Sequence, residues 1–205
     1  LRTLFPYTTL FRSKEVYFLS KAKTHYKDPL AYYTISNFLK DYIDENTLVV
    51  CIGTDRCIGD CLGPLVGTFL KNSSFPLPVY GTIDNPIHAL NIDSKLSEIK
   101  AKHPHSTIIG VDACLGDISN IGELQARNYP IHPGKGVGKT LPIVGNVSLI
   151  GIVDSSDDNE LFTNRNIRLS LVMEIANVLS RSLVHSYYLH SLNTDQNNLI
   201  PINIL

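Results

Sequence analysis

The sequence predicts an α/β protein, a three-layer sandwich on a mainly parallel sheet. Two apolar runs rich in β-branched residues, Leu48 to Ile52 and Thr107 to Val111, have the length and texture of buried strands. Segments of helical periodicity separate them, so the chain reads α-β-α-β-α-β as far as Asp112. That alternation is the signature of parallel strands joined by right-handed crossovers.

The whole-chain numbers agree with this class. At 205 residues the chain is long enough for one domain with a full core, assigned here to residues 28–190. Hydrophobic residues make up 43% and charged residues 18%, which excludes a disordered chain. A net charge of −1 gives no electrostatic reason to expect nucleic acid or acidic lipid as a partner. No apolar run approaches the ~20 residues that span a bilayer. Cys51, Cys57, Cys61 and Cys114 are too few to staple a chain of this length, so they read as reduced thiols in a cytosol.

Taken in order, the first segment stands apart. Thr3 to Ser13, TLFPYTTLFRS, resembles the in-frame translation of a sequencing-library adapter. Pro6 and the polar Tyr7-Thr8-Thr9 break any signal-peptide core. Residues 1–13 are therefore set aside, and on this reading the native start is missing. Residues 28–44 place Leu30, Tyr33, Ile35, Phe38, Leu39, Tyr42 and Ile43 on one helical stripe. Asp44-Glu45-Asn46 is a turn before the Leu48–Ile52 strand. A polar loop then leads to Asp60 and to an apolar helix from Leu62 to Leu70, ended by Lys71-Asn72-Ser73-Ser74. A short strand is expected near Val79 to Ile83. Asn85-Pro86 is expected to open the next helix, with Ile87, Leu90, Ile92, Leu96 and Ile99 as its apolar face. The third strand is expected to end at Asp112.

Beyond Asp112 the texture changes. Gly122 to Asn128 alternates like a strand, and Asn146 to Val153 is another, together an antiparallel addition over 121–153. Tyr129 to Gly145 is a Gly/Pro-rich loop. A long amphipathic helix is expected from Leu161 to about Tyr188, and a patternless tail, residues 191–205, follows.

The chemistry concentrates at strand ends. In a doubly wound order 2-1-3 the first and third strands are neighbours, and ligands bind in the crevice beyond their carboxyl ends. Asp60 and Asp112 would reach that crevice from opposite sides. Each also has a plain structural reading, Asp60 as a helix cap and Asp112 as a turn residue. A helix N-terminus at Asp60 would favour its ionised form by about 0.3–1 kcal/mol. Together, two carboxylates in one site cannot both ionise freely, so one pKa rises and the pair can run acid–base chemistry on a water. A divalent metal such as zinc is the other use of such a pair. His88 and His132 are the histidines near the crevice, each a general base or ligand or else simply structural. His103 and His105 look solvated. Cys57 and Cys61, spaced CxxxC, and Cys114 read as small residues near the crevice and not as a zinc site. Gly134 to Thr140 is no phosphate loop, because Pro133 stands where the first glycine is needed and Leu141-Pro142 follows where a helix should. It reads as a flexible glycine loop lining a cleft.

GTDRCIGDCLGP (53–64), PIHALN (86–91), IIGVDACLG (108–116) and PGKGVGK (133–139) resemble a family of sporulation proteases, in the family's order and over residues 30 to 185. That family is similar to the germination protease of endospore-forming bacteria and, more distantly, to hydrogenase maturation endopeptidases. The resemblance implies a hydrogenase-maturation-protease or phosphorylase-like fold and a cytoplasmic location in the forespore or mother cell. It implies that Asp60 and Asp112 are the catalytic pair, with no cofactor and a protein or peptide substrate. Gly134, Gly136, Gly138 and Thr54 are the expected substrate-binding residues, the glycine N–H groups holding substrate or an oxyanion. The maturation enzymes imply an alternative in which Asp60, Asp112 and His132 hold a metal. A catalytically silent binding protein on the same fold is the third reading. The sequence leaves the oligomeric state open.

Overall fold

The computed structural model describes residues 9–12, 15–18, 20–134, 141–156 and 166–197. The chain runs β1 (Thr9–Arg12), β2 (Glu15–Phe18), β3 (Lys21–His25), α1 (Ala31–Leu39), β4 (Leu48–Cys51), α2 (Leu62–Lys71), β5 (Val79–Tyr80), α3 (Ile92–Lys102), β6 (Ile108–Gly116), β7 (Glu123–Arg127), β8 (Val147–Ser155) and α4 (Leu169–Asn197). Six strands form one sheet in the order β3-β7-β8-β6-β4-β5. β5, β4, β6 and β8 are mutually parallel, and β7 and β3 are antiparallel additions at one side. The expected 2-1-3 order is present as β5-β4-β6.

Helices cover both faces, giving the three-layer α/β sandwich. Alternation along β4 shows why. Val49 and Cys51 join a core with Ile35 and Leu39 of α1, Leu62 and Val66 of α2, and Ile175 and Leu179 of α4. Leu48 and Val50 point the other way, onto Ile92, Leu96 and Ile99 of α3. A strand buried on both faces reads as a continuous apolar run, which is how Leu48–Cys51 appears in the sequence. Among the described residues no helix is long and apolar enough to cross a membrane.

Several boundaries differ from the sequence reading, each for a local reason. The helix expected over 28–44 spans only Ala31–Leu39, because the Asp28 carboxylate accepts the Leu30 N–H (2.8 Å) in a turn ahead of it. The helix expected to open at Asn85-Pro86 starts at Ile92, because Ile87 is drawn into a bridge with Ile52 and is only 2% exposed. The His88 N–H then donates to Asn91 Oδ1 (2.8 Å) in the turn before the helix. The third strand does not stop at Asp112 but continues to Gly116, because β8 runs beside it and supplies partners such as Ile150 and Gly151. Within the 121–153 region only β7 is antiparallel to its neighbours; β8 is parallel to β6. α4 carries on through Asn197, so the first residues of the expected tail are helical. The expected start of that helix at Leu161 lies outside the described residues. His103 is not simply solvated, since Tyr80 OH lies 2.7 Å from its Nε2.

β3 had no sequence signal. It is an edge strand whose residues alternate between exposed and partly exposed, with Lys21, Lys23 and His25 on the outward positions. Lysines on an edge oppose further strand addition, and they also erase the apolar pattern that reveals a strand. Among the described residues β1 and β2 pair only with each other, and the described part of the segment set aside as adapter-like supplies no strand of the main sheet.

Candidate functional site

Beyond the carboxyl end of β4 the chain makes a tight loop. Gly53 has φ +134°, and a Cβ there would lie 1.9 Å from the Asp60 carbonyl oxygen, so no other residue fits without moving the loop. The Thr54 N–H donates to that same carbonyl (3.0 Å), closing residues 54–60 into a ring. A short 3-10 turn, Ile58–Cys61, then feeds α2, and Gly63 packs so closely that its Cβ would sit 2.1 Å from the Ile52 carbonyl oxygen. These close approaches fix where Asp60 emerges. The N-cap positions of the turn and of α2 are Cys57 and Cys61, so Asp60 stands at neither cap position.

Asp112 stands in the middle of β6, opposite Ile150 of β8, with its Oδ1 accepting the Ala113 N–H at 2.8 Å. Asp60 and Asp112 line one cleft of about 520 Å³, within the usual range for a small-ligand or peptide site. His88, His132 and Gly134 line it too. Thr54 does not; it is used in closing the loop, its Oγ1 accepting the Arg56 N–H at 3.3 Å. Gly136 and Gly138 lie outside the described residues.

The cleft also holds residues that sequence reasoning missed: Arg127 and Tyr129, from the end of β7 and just beyond it, and Leu115, from the extended part of β6. Cys114, expected near the crevice, lines it as well. Arg127 lies within the run read as a strand: Glu123, Gln125 and Arg127 alternate at period two, which puts them on one face of β7. All four cysteines are thiols, two buried and two partly buried, and Cys114 Sγ donates to the Leu115 carbonyl (3.1 Å).

The electrostatics overturn one expectation. The helix N-terminus was expected to favour ionised Asp60. Instead burial dominates and pushes its pKa up to about 6, with the Thr54 N–H pulling weakly the other way. Asp112 is raised well above the ordinary carboxylate range, first by burial and then by the nearby charge of Asp60, against the Ala113 N–H. The pair therefore divides in order: Asp60 ionises first, and its charge together with burial holds the proton on Asp112. That is the arrangement in which one carboxyl group takes a proton and the other gives one.

The residues do not fit a resident metal equally well. Asp60, Asp112 and His132 share the cleft, but no group of three His, Cys, Asp or Glu side chains among the described residues converges as a metal site would require. The trio suggested for the metal-dependent alternative is not assembled, and no step is drawn through an ion.

Residues 23–182 match the family described as a protein of unknown function, DUF1256, a span from within β3 to within α4. Over 150 residues the chain is 45% identical to the protein named "Uncharacterized protein YyaC" of Bacillus subtilis (strain 168), covering 73% of each chain. With most of its sheet and both candidate aspartates inside the matched span, the chain belongs to the DUF1256 family.

Proposed function

We propose that the protein is a sporulation-associated endopeptidase in which Asp60 and Asp112 hydrolyse a peptide bond through an activated water. The observation that carries this reading is the meeting of two buried carboxyl groups in one cleft, Asp60 raised to about 6 and Asp112 raised by burial and by the charge of Asp60. Ionised Asp60 takes a proton from the water as its oxygen attacks the scissile carbonyl carbon. Protonated Asp112 donates to the carbonyl oxygen as the tetrahedral centre forms. Collapse breaks the C–N bond: the proton held by Asp60 passes to the leaving amine, and one hydroxyl of the tetrahedral centre returns its proton to Asp112 as the carbonyl reforms. Gly134 at the cleft margin is available to offer a backbone N–H to the developing oxyanion. The peptide substrate and the sporulation setting rest on the resemblance of residues 53–64, 86–91, 108–116 and 133–139 to proteases of that kind.

The test is cleavage of a spore-protein mixture by the full chain and by Asp60→Asn and Asp112→Asn, each with and without chelator. Cleavage that survives chelation and disappears in both variants supports the aspartate pair. Cleavage lost to chelator and restored by a divalent ion overturns it. Full activity in Asp60→Asn with an intact fold also overturns it.

A further inference from the structure

A row of side chains on β7 runs into the cleft and ends in a cation. Lys23 of β3 pairs with Glu123 Oε1 at 2.7 Å, and Gln125 Nε2 donates to the same oxygen. Gln125 Oε1 in turn accepts from both Nε (2.9 Å) and Nη2 (2.6 Å) of Arg127. The Arg127 guanidinium stands 5.6 Å from the centre of the Tyr129 ring. Two bonds from one amide oxygen and an aromatic face leave this fork little rotational freedom. Its partner is a neutral amide, since Glu123 is committed to Lys23 and Gln125. Among the described residues Arg127 makes no ion pair. Neither Asp60 nor Asp112 is lowered by it, although all three line the same cleft. A held guanidinium that makes no ion pair among the described residues and faces a cleft is a receptor for a planar anion; Gln125 takes its Nε/Nη2 edge, and a carboxylate can pair bidentately with the remaining Nη1/Nη2 edge.

We propose that Arg127 is the anion anchor of the cleft, binding a carboxylate of the peptide substrate and so selecting acidic peptides or peptide termini. This rests on the reading of Asp60 and Asp112 as a peptide-hydrolysing pair for its substrate class, but not for the anion site itself. In a peptide the carboxylate has two sources, a glutamate or aspartate side chain and the free C-terminus. Arg127 is a substrate-binding residue in this scheme, and Gln125 a positioning residue that holds its fork.

The test uses the full chain and three small probes followed by amide chemical shifts: N-acetylglutamate amide, N-acetylglutamine with a free C-terminus, and N-acetylglutamine amide. At least one carboxylate probe is expected to bind about ten-fold or more tighter than the uncharged one, with shifts at cleft residues. Arg127→Gln is expected to abolish that preference, and Arg127→Lys to keep part of it. The winning probe assigns the source: side chain for an internal acidic residue, terminus for a chain end. Equal binding of all three probes, or a preference that survives Arg127→Gln in a folded variant, overturns the proposal. Carboxylate binding that needs Arg127, in a protein that cleaves nothing, leaves the anchor standing and removes the hydrolase. Cleavage that needs both aspartates, with kcat/KM equal for acidic and neutral peptides, removes the anchor alone.

Discussion

Replacing Asp60 by asparagine should make the protein more stable, and the gain should depend on pH. Burial raises this carboxyl group from 3.8 to about 6, so ionising it in the folded state is unfavourable. A folded-state pKa above the unfolded one means that the native protein holds the proton more tightly. Stability therefore falls as pH rises from about 4 through 6, and the full penalty is present above the folded value. The shift is about two units at about 1.36 kcal/mol each, or about 3 kcal/mol at pH 7.5. At pH 4.5 most of the penalty has gone, leaving about 1 kcal/mol. Asparagine keeps the shape and cannot ionise. For a chain of this size, 3 kcal/mol corresponds to a Tm increase of roughly 6–12 °C at pH 7.5, shrinking to about 2–4 °C at pH 4.5. Thermal unfolding by circular dichroism at the two pH values measures both numbers. A variant less stable than the parent at pH 7.5, or one whose gain is the same at both pH values, would refute the reasoning. A stabilised variant that has lost cleavage would show a carboxylate kept at a cost in stability for the sake of its chemistry.

Three further outcomes are expected. Cleavage plotted against pH should be bell-shaped: the acid limb rises through about 6 as Asp60 ionises, and the alkaline limb falls at higher pH as Asp112 gives up its proton; a profile flat between pH 5 and 7 removes Asp60 as the base. Gly53→Ala should cost about 1–3 kcal/mol from its positive φ alone, and more from the collision with the Asp60 carbonyl; urea unfolding would show a lower midpoint, and an unchanged midpoint would contradict the loop geometry. Deleting residues 1–13 should leave Tm within about 2 °C, because among the described residues β1 pairs with β2 and with no strand of the main sheet, and changes away from the core are usually within about 0.5 kcal/mol; a large fall would assign that segment a structural role.

The parallel half of the fold was legible because its strands are buried on both faces and so announce themselves as apolar runs. The adjacency of β4 and β6, and with it the meeting of Asp60 and Asp112, followed from the alternation of helices and strands. What lay beyond β6 was harder. β3 is amphipathic in the wrong sense for a sequence pattern, with charged residues on its exposed edge. Asp112 was expected at a strand end, yet the strand continues because a partner arrives 35 residues later in the chain, at Val147. Arg127 sat inside a readable alternating run, but only the pairing of β7 with β8 carries it to the cleft. The sign of the Asp60 shift could not be read locally. A helix N-terminus and burial act in opposite directions on a carboxylate, and the second depends on the whole fold.

The glycines that frame Asp60 bear on how relatives of this protein should be sorted. An aspartate at the equivalent place is a weak criterion, because aspartates are common in loops. Gly53 and Gly63 are demanding ones, since each meets a backbone oxygen at a distance that excludes any side chain. A homologue that keeps the aspartate but carries larger residues at these two places must hold the loop differently and present its carboxyl group elsewhere. One that keeps both glycines but has lost the aspartate retains the scaffold without the acid. Sorting sequences by this three-residue signature would separate chains equipped for the proposed hydrolysis from those that share only its architecture.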